Sequence, residues 1–331
     1  MVTMAYRIDD SGTAWLGDHP VPVPTSISDE ARAYLAGNPW GDAPMPDEPV
    51  PMWTFREPMA AAFEALNQQA QSLYPVDIEE IQLGGVRCHL IRPLDIPAEH
   101  EGRVLINLHG GGFVVGSGAL VEAIPIAHLA RVPVIAVDYR LAPEHAYPAA
   151  VDDVVAVYRE VLAHHPADKV GIFGSSAGGI LTGQAVVRLE KEGLPLPACA
   201  GVFSAAGNLY DFGDTRSIFT LSGFYGAHSF PLDHELSEVH NYLGGADPMD
   251  PLVSPDRADL SRFPPTLLVS GTRDALLSST TMFHRALLRA GRPAELVVFD
   301  ALPHSHWYAL HLPETREALD IMVRFFNSKL A

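Results

Sequence analysis

The sequence predicts an α/β fold built on a largely parallel sheet, and three observations carry that reading. Apolar runs of strand length recur at 103–108, 132–137, 170–173, 265–271 and 294–299. Helical stretches stand between them, as at 180–189 and 278–289. Glycine-rich or polar segments follow the strands, at 109–113, 138–144, 174–179, 272–274 and 300–307. Strands buried on both faces read as unbroken apolar runs, and helical crossovers gather the loops that follow them at one edge of the sheet.

In chain order, the segment 17–58 is rich in proline and acidic residues and reads as loop punctuated by short helices. One of these covers 28–36 and ends at Gly37. From 58 to 73, Met59, Phe63, Leu66, Ala70 and Leu73 recur at the spacing of an amphipathic helix. Cys88 and Cys199 fall in predicted strands and read as small buried hydrophobes, with no disulfide framework. The helix at 148–163 carries Val151, Val154, Val155 and Val161 on its apolar face. With the C-terminal helix at 313–330 it reads as scaffold. The stretch 205–243 inserts Phe212, Phe219, Phe224, Tyr225 and Phe230 between two sheet strands. Those aromatics suit an apolar acyl or alcohol pocket, or equally a satellite cluster under a long loop.

The densest chemistry lies at 170–179, where a short buried strand runs into Gly174-Ser175-Ser176-Ala177-Gly178-Gly179 and then an apolar helix. In Gly-x-Ser-x-Gly, the flanking glycines let neighbouring chain pass close, and the sharp strand-to-helix turn pushes the Ser176 hydroxyl clear of the backbone. The helix that starts there aims free N–H groups at negative charge forming beside the serine. A second strand ends in His109-Gly110-Gly111-Gly112-Phe113. Its unobstructed N–H groups suit an oxyanion hole, where each preorganised donor contributes roughly 3–4 kcal/mol to acyl transfer.

Downstream, Asp274 stands just past the strand at 265–271, and His304 follows the strand at 294–299. Parallel neighbours would bring the two loop tips together, with His304 as general base and Asp274 orienting it. His306 and Asp300 are the weaker rivals: the first faces the other way in extended chain, and the second shares a loop with the histidine. A metal held by His304 and His306 lacks a third ligand. Arg140 and Glu144, leaving the strand at 132–137, read as structural charges that pair with one another to fix the loop below the site.

With His109-Gly-Gly-Gly-Phe113, Asp138-Tyr-Arg-Leu-Ala-Pro-Glu144, Gly174-x-Ser176-Ala-Gly-Gly179, Asp274 and His304 in that order, the chain resembles the hormone-sensitive-lipase-like carboxylesterases. These are α/β-hydrolases of the bacterial family IV type. The resemblance runs from about residue 78 to the C-terminus. It implies an eight-stranded, mostly parallel sheet, a helical cap and hydrolysis of short acyl esters without a cofactor. By motif, Ser176 is the nucleophile, Asp274 the acid and His304 the base. Two N–H groups of Gly110, Gly111 and Gly112, together with that of Ala177, form the oxyanion hole. Phe113, Ser175, Phe224 and Tyr225 are expected substrate contacts. Residues 1–75 are expected to form a cap or arm and 76–331 the catalytic domain, with 205–243 able to join the cap. Where many members carry an aspartate before the nucleophile, this chain has Ser175. Ser278 and Ser279 stand where a second acid often follows the catalytic aspartate, and His306 replaces a common phenylalanine.

Composition fits. A chain of 331 residues with 47% hydrophobic content holds ample core for one catalytic unit. The N-terminus lacks a signal pattern and no apolar run approaches a spanning helix, so a cytoplasmic, soluble protein is expected. A net charge of −18 argues against nucleic acid and anionic membranes as partners. A small ester is the expected partner, with a homodimer open. An amidase, carbamate or lactone hydrolase would use the same machinery, and a non-catalytic receptor would be expected to have lost His304.

Overall fold

The computed structural model describes residues 6–10, 13–16, 18–37, 50–220, 223–224 and 232–331. Eight strands form its central sheet: β1 (Val76–Leu83), β2 (Val86–Pro93), β3 (Val104–Leu108), β4 (Val134–Val137), β5 (Val170–Ser175), β6 (Cys199–Phe203), β7 (Thr266–Arg273) and β8 (Ala294–Pro303). Their spatial order is β1-β2-β4-β3-β5-β6-β7-β8. Only β2 runs against its neighbours. Every residue of β3 to β6 is buried, and β7 is buried but for Thr272. The apolar run at 294–299 instead falls in the edge strand β8, which like β1 is partly exposed because it has a neighbour on one side only.

Period-two alternation sends side chains to two cores. Val104, Ile106, Leu108, Ile172, Val202 and Leu268 pack into one, against α4 (Ala149–Leu162), α5 (Ala177–Lys191) and α7 (Leu277–Arg289). Leu105, Phe173, Phe203 and Leu267 pack into the other, against α1 (Asp29–Ala36), α2 (Arg56–Leu73), α3 (Ala123–Ala130) and α8 (Pro313–Lys329). Helices therefore cover both faces of the sheet, which permits strands without a polar side.

Helix ends follow the chemistry of their residues. Ser28 caps α1, its Oγ accepting the Ala31 N–H at 3.0 Å. The same serine bonds Glu314 through both its N–H (2.6 Å) and its Oγ (2.9 Å), which fastens α1 to the start of α8. The amphipathic spacing read at 58–73 is α2, with Phe63, Asn67 and Ala70 buried. Its Asn67 donates to the Gly118 carbonyl and accepts the Leu120 N–H, both at 2.8 Å.

Strand order then places the site. After β3 the chain turns to β4 on one side, and β5 returns to lie on the other. Loops leaving β3 and β5 in opposite directions open a crevice at the carboxyl ends of those strands. The glycine-rich 109–113 segment and Ser176 leave those two ends. The insertion 205–243 separates β6 from β7 and carries α6 (Glu238–Leu243) and a two-strand ribbon of Phe219–Thr220 and Gly223–Phe224.

Candidate active site

At the end of β5 the backbone turns sharply. Ser176 has φ 56° and ψ −124°, a region that non-glycine residues seldom occupy, and α5 begins at the next residue. The turn is fixed on both sides. The Ser176 N–H reaches the Phe203 carbonyl at 2.8 Å, while Gly179 and Ile180 donate to the Ser176 carbonyl at 3.0 and 3.1 Å. Gly178 is required by close approach, because a Cβ there would sit 1.8 Å from the Leu108 carbonyl oxygen.

The loop after β3 is braced from several directions. Gly111 adopts φ 120°, and a Cβ on it would meet the Val115 carbonyl oxygen at 2.3 Å. Val114 and Val115 both donate to the Gly111 carbonyl at 3.0 Å. The Tyr139 hydroxyl donates to the His109 carbonyl at 2.7 Å, and the two rings stack 4.1 Å apart. Arg56, which opens α2, donates Nε–H to the Val114 carbonyl at 2.6 Å. Its other nitrogens reach the Ala142 carbonyl at 2.5 Å and both Glu144 oxygens at 2.8 Å. That contact holds the Glu144 carboxyl down to about 2. The Tyr308 hydroxyl stands close to Gly110, 3.7 Å from where a Cβ there would be. Among the described residues, the N–H groups of Gly110, Gly111, Gly112 and Ala177 have no acceptor. The fold thus leaves these donors unspent around the serine.

On the far side, Asp274 follows β7 and is fully buried. Its Oδ1 accepts the Leu276 N–H at 2.9 Å and lies 2.8 Å from His304 Nδ1. Its Oδ2 accepts the Ser270 hydroxyl at 2.8 Å. Burial alone would raise this carboxyl, but the charge and hydrogen bond of His304, with the donors around it, hold it below its usual value. His304 is 9% exposed and its Nε2 has no partner among the described residues. The Ser305 N–H donates to Ser204 Oγ at 3.1 Å, one residue beyond the carbonyl that fixes Ser176. The end of β6 therefore ties the histidine loop to the serine turn.

The two rivals lie elsewhere. His306 is enclosed with Phe299 (4.8 Å between ring centres) and Trp307 (5.1 Å), and burial pushes it down to about 3. Asp300 belongs to β8 rather than to the histidine loop; it accepts Ser26 Oγ at 2.6 Å and Thr272 Oγ1 at 3.3 Å.

Several expected contacts are placed otherwise. Ser175 is fully buried and donates its hydroxyl to Glu122, so it faces away from any substrate. Phe113 is 2% exposed and stacks on Tyr242 at 3.6 Å, as core rather than pocket wall. Phe212 is likewise buried in the core. Phe224 pairs with Phe219 in the ribbon, and Tyr225 and Phe230 lie outside the described residues. Arg140 and Glu144 do not pair with each other: Arg140 meets Asp153 at 2.8 Å and Glu144 meets Arg56.

Glu122 and Tyr308 were not singled out from the sequence. The Glu122 carboxyl is buried and pushed upward by that burial, while Ser175, Asn107 and Trp307 donate to it. Its signal was present: a lone acid inside the apolar run 119–127 is expensive unless donors surround it. Around the oxyanion loop, Met52 and Glu238 pack close to Gly112, and Phe63 of α2 meets Tyr308 edge-on at 6.4 Å.

A doubly covered parallel sheet with a strained serine at a strand-to-helix turn and a buried Asp–His pair two strands away defines a class of hydrolase. Comparison with known proteins gives the same class. A family model described as alpha/beta hydrolase fold matches residues 105–308. An acetyl-hydrolase of Streptomyces hygroscopicus is 32% identical over 82% of this chain and 90% of its own length. An esterase of Acinetobacter venetianus is 30% identical over 76% and 82%. Among solved structures, an esterase superposes with a TM-score of 0.82 at 31% identity, covering 96% of this chain and 99% of its own. A hormone-sensitive lipase from a metagenome library gives 0.75 at 29%, covering 86% and 94%. The chain belongs to the α/β-hydrolase family and is a carboxylic ester hydrolase.

Proposed function

We propose that the protein hydrolyses short- to medium-chain acyl esters through a Ser176–His304–Asp274 triad and an acyl-enzyme. One observation carries the reading. His304 is gripped through Nδ1 by a buried carboxylate while its Nε2 has no partner among the described residues, on a loop fastened to the turn that presents Ser176.

An unassisted serine hydroxyl is a weak nucleophile, so His304 Nε2 takes its proton as Oγ attacks the ester carbonyl. Asp274 fixes the tautomer with the proton on Nδ1 and stabilises the imidazolium. The oxyanion meets backbone N–H groups of the Gly110–Gly112 loop and of Ala177, which have no acceptor among the described residues. His304 next protonates the leaving alcohol. A water that gives its proton to the same nitrogen then attacks the acyl-enzyme; the bond to Ser176 Oγ breaks, His304 returns the proton to that oxygen, and the acid is freed. The short end of the acyl range is supported by the Streptomyces relative, an acetyl-hydrolase.

Turnover of p-nitrophenyl esters from acetate to dodecanoate, with wild type beside Ser176→Ala, tests this. The expected result is turnover peaking at short chains and at least ~10³-fold lower in the alanine variant. A variant retaining most activity would overturn the assignment. A profile rising steadily toward dodecanoate would overturn the acyl range.

A further inference from the structure

We propose that Glu122 is a positioning residue for this reaction: its buried carboxylate ties the serine turn, the oxyanion strand and the histidine loop into one unit. The inference rests on the serine mechanism above.

Glu122 is 2% exposed, immediately before α3, with apolar residues on either side. A carboxylate there costs several kcal/mol unless donors replace water. Three do so. Asn107 Nδ2 donates to Oε1 at 2.8 Å. The Ser175 hydroxyl donates to Oε2, and Trp307 Nε1 stands 3.3 Å from that oxygen and 3.1 Å from Ser175 Oγ. Asn107, Ser175 and Trp307 are each fully buried.

Their places in the chain matter more than their number. Asn107 lies on β3 just ahead of the His109–Gly112 loop. Ser175 directly precedes the nucleophile, and Trp307 stands three residues beyond His304. One carboxylate thus meets a neighbour of every reacting element while touching none of the reacting atoms. The sheet ladder pairs the first two segments and the Ser305–Ser204 bond ties the histidine loop to the end of β6; the shared acceptor adds the one side-chain group that meets all three segments directly. A displacement of about 1 Å between nucleophile and base suffices to cost on the order of 100-fold in rate.

Three variants test this: Glu122→Leu, Glu122→Gln and Trp307→Phe. For each, kcat and KM are measured on p-nitrophenyl butyrate, together with the rate of phosphonate labelling at Ser176, under conditions where circular dichroism shows native fold. We expect Glu122→Leu to lower kcat and labelling rate by roughly 10- to 100-fold with KM changed less than about threefold. Glu122→Gln should recover most of that loss. Asn107 Oδ1 has no partner among the described residues, so a turned amide can accept the new NH2 group. Trp307→Phe, which removes the Nε1–H link from the histidine loop to Glu122 and Ser175 along with some buried volume, should lose several-fold in kcat at unchanged KM. Folded Leu and Phe variants with wild-type kcat and labelling would overturn the proposal, whatever their melting temperatures. Were the Leu variant not to fold, Trp307→Phe decides alone. Wild type that takes no label at Ser176 would instead overturn the serine mechanism, and this proposal with it.

Discussion

Ser176 sits at φ 56°, and such a conformation costs a non-glycine residue about 1–3 kcal/mol. Ser176→Gly should therefore unfold at a temperature no lower than Ser176→Ala, both being inactive; thermal melts of the pair check it. A clearly less stable glycine variant would mean that the turn is not strained. His306 makes a second prediction at this scale. Burial holds its pKa at about 3, far below the ~6.5 of a free imidazole. Between those values the unfolded chain binds a proton that the native protein refuses. Its neutral ring therefore carries no penalty above about pH 6.5, and stability falls as pH drops toward 3. His306→Phe removes that proton uptake, so its urea midpoint should fall less than that of wild type between about pH 7 and pH 5. Parallel curves would count against it. At this scale the sequence was most legible where backbone demands are severe: Gly174-x-Ser176-x-Gly178 and the glycines after His109 declare themselves by spacing. Ser175, Phe113 and Glu122 did not. Adjacent residues on a strand point to opposite faces, and nothing in a lone motif says which face looks into the site.

Among the elements, α2 has a part that its amphipathic pattern left open. Its apolar stripe packs on the sheet-side core, while Arg56 at its start grips the oxyanion loop through Val114, Ala142 and Glu144. A lysine cannot reproduce that planar three-way contact. Arg56→Lys is therefore expected to lower kcat/KM several-fold with little change in melting temperature, since the Glu144 end is largely solvated. Unchanged kinetics would show that the loop holds itself. Strand assignments at 103–108, 132–137 and 170–173 were legible as short, nearly unbroken apolar runs, and helices at 180–189 and 278–289 by apolar residues recurring at helical spacing. The extension of β8 through Pro303 was not, since Asp300 looks like the start of a loop and is held in the strand by its partners Ser26 and Thr272.

For the whole molecule, strand order decides function. The crevice exists because β4 and β5 lie on opposite sides of β3, and residues from β3, β5, β7 and β8 meet only through that arrangement. The alternation of strands and helices pointed to the sheet, but its order came with the family resemblance, because periodicity carries no information on which strands are neighbours. The net charge of −18 acts at this scale too. It repels anionic substrates through a field that salt screens within ~8–10 Å. Raising ionic strength should therefore raise kcat/KM for a negatively charged ester and leave that for a neutral ester of the same acyl group nearly unchanged. Equal salt responses would place the field of the site apart from the charge of the molecule.

Whether Ser176 carries the acyl group is read by intact-mass spectrometry after reaction with a fluorophosphonate. One covalent adduct per chain is expected, mapped to the peptide containing Ser176, absent from Ser176→Ala and formed far more slowly in His304→Ala. No adduct on folded wild type, or an adduct at another residue, would contradict that role of Ser176.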